Sequence, residues 1–403
     1  MKAGWESATL GSVCDIISGS GFPKKHQGEA DGEVPFFKVG DMNSEGNETH
    51  LVAANHYISE ATRKALGARV LPPESVVFPK VGGAISTNKK RRLVAPSCVD
   101  NNVMGLAPDP QKIDPSYLAW WMDGVDIYEF SNKAALPSIT KGTVDAWPIP
   151  LPPLEEQKRI VAVLDAAFEG LTRARTHIET NLQNARELFE GAMEIVFDLD
   201  RIKGEFARKK LIDVCEIEAG AGFPKKDQGK TSGDFPFFKV GDMNSQGNER
   251  NLITANHYIS EATRKRLGAR IFRPTSIVFP KVGGAIATNK KRKIVVESCV
   301  DNNVMGLWPI PEKIDPNYLS WWMESVDIYE FSNKAALPSI TKQTVSSWPI
   351  PVPSPEKQRE IVNSLSQTRE YVEQLEAHYR TKMQDLDDLR QSLLQKAFAG
   401  ELT

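Results

Sequence analysis

The sequence predicts an α+β fold: two homologous mixed α/β domains, each followed by a long amphipathic helix. Three observations predict it. The first half of the chain recurs in the second at a fixed offset of 201 residues. A proline-rich stretch closes each globular copy. Beyond each such stretch, apolar residues step alternately by four and three, the spacing of a coiled-coil seam.

Size and composition suit this. At roughly 100–200 residues per domain, 403 residues give two to four folded units. Hydrophobic residues are 40% and charged residues 25%, which supplies sizeable cores and argues against disorder. No stretch approaches the ~18–20 apolar residues of a membrane span. Met1-Lys2-Ala3-Gly4-Trp5-Glu6 lacks the apolar run of a secretion signal, so a cytoplasmic location and no membrane partner are expected. Cys14, Cys98, Cys215 and Cys299 have no metal-type spacing and read as reduced core thiols. The Asn47-Glu48-Thr49 sequon carries no weight without a secretion signal. The net charge of -2 averages over unlike parts: residues 154–200 carry -5 and 355–403 carry -2, leaving +5 on the rest. Arguments about partners therefore belong to segments rather than to the whole chain.

The duplication is far beyond chance. Gly21-Phe22-Pro23-Lys24-Lys25 returns as Gly222-Phe223-Pro224-Lys225-Lys226, and the run Val125 to Lys141 returns unchanged at Val326 to Lys342. Ala54 to Lys64, Val77 to Ile85 and Ser97 to Leu106 do likewise. A period of 201 is too long for a solenoid. The division is 1–153 and 201–354 for the domains, with 154–200 and 355–403 for the helices.

Within each copy, Val34 to Gly40 and Ser75 to Pro79 read as strands, with Arg92 to Ala95 and Val103 to Leu106 similar. Asp114-Pro115 fits an N-cap followed by proline, opening a helix through Met122. Tyr117, Trp120 and Trp121 on it, and Tyr318, Trp321 and Trp322 on its copy, read first as core and second as base-stacking platforms. Pro148, Pro150, Pro152 and Pro153, and Pro349, Pro351, Pro353 and Pro355, form stiff extended necks ending where each helix begins. The first seam runs through Leu164, Phe168, Leu171, Ile178, Leu182 and Phe189, and includes the polar Arg175. The second runs through Leu365, Val372, Leu375, Tyr379, Leu386, Leu389 and Leu393, and includes the polar Thr368 and Lys382. These seams are expected to hold the helices together and to meet partner subunits. A short polar connection near Asp198 to Ala207 leads to the second copy.

Several chemistries are excluded. Gly229-Lys230-Thr231 ends like a phosphate-binding loop, but Pro224 stands where its first glycine belongs. Asp41-Met42-Asn43-Ser44-Glu45-Gly46 begins like a calcium loop, but Val52 stands where a bidentate Glu belongs, so a polar turn is expected. The six histidines are scattered: His56/His257 and His177/His378 recur at the common offset, and no metal-type constellation forms. Neither a dinucleotide fingerprint nor the Asn/Asp-Pro-Pro-Phe/Tyr stretch of amino-methyltransferases occurs. No catalytic residue and no metal ligand is assigned.

What remains is basic and polar. Asn88-Lys89-Lys90-Arg91-Arg92 recurs as Asn289-Lys290-Lys291-Arg292-Lys293. Such a run suits phosphate contact, or a solvated hairpin tip. It is accompanied by Lys24, Lys25, Lys38, Arg63, Lys64, Lys80 and Lys133, with counterparts Lys225, Lys226, Lys239, Arg264, Lys265, Lys281 and Lys334. Asn101, Asn102 and Ser138, with Asn302, Asn303 and Ser339, are of the types that read base edges, though the asparagines beside Asp100 equally suit structural hydrogen bonding.

The order domain, helix, domain, helix resembles the specificity subunit of type I restriction-modification systems. Ile149-Pro150-Leu151-Pro152-Pro153-Leu154-Glu155-Glu156-Gln157-Lys158-Arg159-Ile160-Val161 resembles that family's central conserved region. Leu393-Leu394-Gln395-Lys396-Ala397-Phe398-Ala399-Gly400-Glu401-Leu402 resembles its C-terminal one. The second neck, Val352-Pro353-Ser354-Pro355-Glu356-Lys357-Gln358, departs from the pattern. The resemblance implies a non-catalytic reader of double-stranded DNA with two target-recognition domains. It implies antiparallel helices that set the spacing and dock two adenine-N6 methyltransferase subunits. Two restriction subunits would complete the complex, and S-adenosylmethionine, ATP and Mg would sit on the partners rather than on this chain. An alternative is the specificity subunit of another methylation-based defence system lacking those restriction subunits. Antiparallel helices would relate the like domains by an approximate two-fold axis, which predicts an interrupted palindrome as target.

Overall fold

The computed structural model describes Lys2, residues 4–198 and residues 206–402. The connection at 199–205 lies outside the described residues. The chain forms two compact units: Met1–Glu179 with Arg380–Thr403, and Thr180–Tyr379. The boundary thus falls inside both long helices, Leu154–Phe197 and Pro355–Ala399.

In the first unit a five-stranded mixed sheet runs in the order Cys14–Ser18, Val103–Pro108, Val76–Pro79, Arg91–Leu93, His50–Leu51. Only the last pair is parallel. A three-stranded sheet places Val34–Phe37 between Tyr57–Ile58 and, in parallel, Cys98–Val99. The second unit repeats both sheets. The strand expected over Val34–Gly40 stops at Phe37. The Lys38 amide donates to the buried Asp41 carboxylate at 2.6 Å, and this contact turns the backbone into a 3-10 helix, Val39–Asn43. Asp41 also accepts from the Asn55 amide and side chain, at 3.0 and 2.7 Å, so the calcium-like run is a self-satisfied turn. Asn47 of the formal sequon is wholly buried.

Asp114 caps the helix Pro115–Gly124, accepting from the amides of Ser116 and Tyr117 at 2.9 and 3.1 Å. That helix buries Tyr117, Leu118, Trp121 and Met122. Trp120 is half-buried and donates to Asp165 at 2.8 Å. The necks are strands rather than free spacers. Pro148–Leu151 pairs antiparallel with Glu6–Thr9, and Pro349–Val352 with Ala207–Lys210. Two-stranded ribbons have only edges, which is where proline is tolerated.

Each unit contains a pair of antiparallel helix segments. In the first, Arg175 pairs with Asp387 at 2.9 Å while Arg390 lies over Phe168 at 5.3 Å, so one segment ascends as the other descends. In the second, Arg186 pairs with Glu376 at 2.8 Å and Arg369 lies over Phe189 at 4.5 Å. Each domain's core takes residues from both helices: Ile160 and Leu164 with Leu394 and Ala397 in the first, Ile361 and Leu365 with Met193 and Phe197 in the second. Leu164, Ile178, Leu365 and Val372 are buried. Phe168, Leu171, Leu182, Phe189, Leu375, Tyr379, Leu386 and Leu393 are half-buried. Arg175, Lys382 and Leu389 are corrections: all three are exposed, and in the second helix Met383 is half-buried beside them. The strict heptad drifts from a straight 3.6-residue helix there.

Candidate nucleic-acid interface

One end of the sheets gathers polar candidates from separate segments. The Lys80 amide donates to Asn102 O at 2.8 Å, and Ile139 N to Lys80 O at 2.9 Å, which brings Ser138 alongside. Val81 and Ser138 form a β-bridge, and so do Ser20 and Asp100. The Asp100 amide donates to Phe37 O at 2.9 Å, which places Lys38 next in line. Lys38 Nζ donates to Gln27 Oε1 at 3.0 Å, and Gln27 Nε2 to Phe22 O at 2.7 Å, tying in the turn that carries Lys24 and Lys25. Every link recurs in the second unit, through Asn303, Lys281, Ser339, Asp301, Lys239 and Gln228. Gln27 and Gln228 were not singled out from the sequence, though their recurrence at the common offset was a usable signal.

Within this cluster the side chains divide into free and committed. The side chains of Lys24, Lys25, Lys225 and Lys226 are exposed and, among the described residues, their ammonium groups make no hydrogen bond or ion pair. Asn101 and Asn302 are exposed. Asn102 is committed: its amide and side chain donate to Asp100 at 3.1 and 3.0 Å, and Asn303 does the same for Asp301. Burial pushes the Asp100 and Asp301 carboxyls up, opposed by these hydrogen bonds and by the nearby lysine. Burial likewise pushes Lys80 down, opposed by Asp100, while Lys281 is half-buried at the same place. Ser138 and Ser339 accept from Asn132 and Asn333 at 3.0 and 3.1 Å. Lys133 and Lys334 are exposed but pair with Glu129 and Glu330 at 2.8 Å.

The basic run is not a free tip. Asn88 adopts a left-handed conformation, φ 53°, ending the 3-10 turn before it, and its Oδ1 accepts Ile127 N at 3.1 Å. Asn289 does the same with Ile328 N at 3.0 Å. Lys89 and Lys290 bond to Asn43 and Asn244. Lys90 donates to Val125 O and Lys291 to Val326 O, both capping helix C-termini. Burial pushes these two ammonium groups down to about 8, opposed by Asp123 and Asp126 in one copy and Asp327 and Glu324 in the other. Arg91 donates inward to Asn47 O at 2.5 Å and Met42 O at 3.0 Å, and Arg292 to Met243 O at 2.8 Å. Arg92 pairs with Glu74, while Lys293 reaches Asn317 at 3.0 Å. These strands floor clefts of about 590 and 430 Å³. Arg63 and Arg264 are likewise committed, clamping Glu60 and Glu261 at 2.6 Å and the carbonyls of Ala68 and Ala269. Lys64 and Lys265 stay exposed on the same turns, 3.9 and 3.5 Å from those carboxylates.

Among the described residues, no group of three or more His, Cys, Asp or Glu side chains could hold a metal ion. No described helix is long and apolar enough to cross a membrane. The four cysteines are free thiols, all buried. A duplicated α+β domain with polar strand ends and a shared helix pair matches one family model, the type I restriction modification DNA specificity domain, at residues 2–184 and again at 203–381.

The chain belongs to that family.

As a member of the type I specificity family, it resembles the EcoDI specificity subunit of Escherichia coli, 24% identical over 73% of this chain and 72% of that one. The EcoBI specificity subunit of the same species is 20% identical over 99% of this chain and 86% of its own length. The HsdS subunit from Thermoanaerobacter tengcongensis shares the fold at a TM-score of 0.67 and 20% identity, over 100% of this chain and 98% of that chain. So does a chain from a study of complex assembly and conformational transition of the type I R-M system, at a TM-score of 0.76 and 20% identity, over 100% and 99%.

Proposed function

We propose that this chain is the non-catalytic DNA-reading subunit of a type I restriction-modification complex, and that its two domains read the same short half-site in opposite orientation. The carrying observation is that the strand-end cluster is built from the same residues in both copies: Lys24, Lys25, Lys38, Lys80, Asn101 and Ser138 recur without change at +201. Like domains on a two-fold axis read two-fold related half-sites. The site is then an interrupted palindrome, with half-sites roughly one helical turn apart centre to centre. Of the residues that differ between the copies, two are engaged inside the protein. Arg250, opposite Thr49, is ion-paired with Glu373, and Arg266, opposite Ala65, with Asp227 at 2.5 Å.

In this reading exposed lysines contact phosphates and exposed amides read base edges. The helices set the spacing and dock two adenine-N6 methyltransferase subunits, with two restriction subunits completing the complex. S-adenosylmethionine, ATP and Mg belong to those partners, and the complex works in the cytoplasm. The test is reconstitution with the neighbouring methyltransferase. Methyl transfer to adenine N6 that requires this chain supports the reading. Transfer that proceeds equally without it, or no retention of the methyltransferase on this chain, overturns it.

A further inference from the structure

The domains are near copies, yet the helices behind them diverge, and the contacts show what the divergence does. Position 168 recurs at 369, and 189 at 390. In the first unit Phe168 on the first helix meets Arg390 on the second, whose guanidinium lies 5.3 Å from the ring and pairs with Asp123 at 2.9 Å. In the second unit Phe189, again on the first helix, meets Arg369, again on the second, at 4.5 Å, and Arg369 bonds to Glu324 at 3.0 Å. Between the two long helices, the aromatic ring comes from the first and the cation from the second; Arg369 also lies 4.2 Å from Trp321 of its own domain.

A second layer follows the same rule. Position 175 recurs at 376, and 186 at 387. Arg175 pairs with Asp387 at 2.9 Å, and Arg186 with Glu376 at 2.8 Å. Both bases lie on the first helix and both acids on the second. Two first helices paired in this register would set Phe168 against Phe189 and Arg175 against Arg186. Two second helices would set Arg369 against Arg390 and Glu376 against Asp387. Like charges meet in each case, at sites that mixed pairing satisfies. The apolar layers do not discriminate, since Leu164 recurs as Leu365 and Phe197 as Phe398.

We propose that these aromatic and charged positions are a sorting code: they direct the first helix to the second and against the same helix of another copy of this chain. Near-identical domains, which would otherwise allow a like-with-like dimer, are thereby kept in one closed chain.

The test recodes the full chain with Phe168→Arg, Arg175→Asp, Asp387→Arg and Arg390→Phe. Every native kind of helix–helix pair survives in both units, while the Arg390–Asp123 and Arg175–Glu179 pairs are given up, and each helix becomes complementary to itself. Thr180→Cys supplies a reporter thiol. Thr180 is exposed and midway between the paired positions, and the natural cysteines are buried. After refolding at high protein concentration, a short bismaleimide should join about tenfold more recoded chains than chains carrying Thr180→Cys alone. Because the four-residue variant disturbs partly buried rings, Arg175→Asp with Asp387→Arg, both exposed, is run beside it and should give a smaller rise. A rise in either supports the code. Equal cross-linking in all three backgrounds overturns it.

Discussion

The side-chain oxygen of Gln157 accepts the backbone N–H of Asp114 at 2.7 Å, and Gln358 accepts that of Asp315 at 2.8 Å. Both glutamines are buried, and each also donates to a neck carbonyl, Pro152 O at 2.8 Å or Pro353 O at 2.9 Å. One amide thus locks the start of a long helix to the capping turn of the domain helix and to the neck. Gln157→Leu keeps the volume but orphans the Asp114 amide, at a cost of about 1–3 kcal/mol. Urea denaturation should show that loss, whereas an unchanged midpoint would mean the junction is held by packing alone.

Lys90 and Lys291 titrate near 8 in the folded protein, well below an ordinary lysine. Between that value and about 10.4 the unfolded chain binds more protons than the folded one. The burden these two lysines place on stability is therefore full below pH 8 and is relieved as pH rises through that window. Relative to a Lys90→Met, Lys291→Met variant, the wild type should gain on the order of 2 kcal/mol per lysine between pH 7 and pH 10. A stability difference that does not change with pH would show that these ammonium groups titrate normally.

Burial holds the Cys14, Cys215 and Cys299 thiols up at about 12 and Cys98 at about 11. The thiolate is the reactive form. Native protein at pH 8 should leave all four unlabelled by a thiol reagent, and denatured protein should label all four. Rapid native labelling of any one would place it at the surface.

The unpartnered lysines and the inward basic run should respond differently to substitution. Lys24→Ala, Lys25→Ala, Lys225→Ala and Lys226→Ala together should weaken DNA binding by the complex at every sequence and reduce its salt slope by up to about four. Replacing Lys89, Lys90 and Arg91 by Ala, which from sequence alone reads as a phosphate-contact test, should chiefly lower thermal stability, because Lys90 and Arg91 satisfy internal carbonyls. Affinity measured against salt, with melting curves alongside, separates the two outcomes.

Periodicity made the architecture legible. The exact offset, the neck prolines and the seams locate two domains and two helices, and Asp114-Pro115 opens its helix where the capping rule puts it. The site was legible by residue type but not by direction. A run of four bases looks alike whether the side chains face phosphate or the carbonyls of Asn47, Met42 and Val125, because those acceptors lie 35 to 49 residues away. The same limit hid Asp41, whose capping contacts cut a strand short, and Gln157, whose role depends on a turn 43 residues upstream.

The half-site symmetry is tested most directly by single-molecule methylome sequencing of a host that expresses this chain with its methyltransferase. One new methylated motif is expected, whose two specific ends are inverted copies of each other across a fixed gap. Two unrelated ends would contradict it.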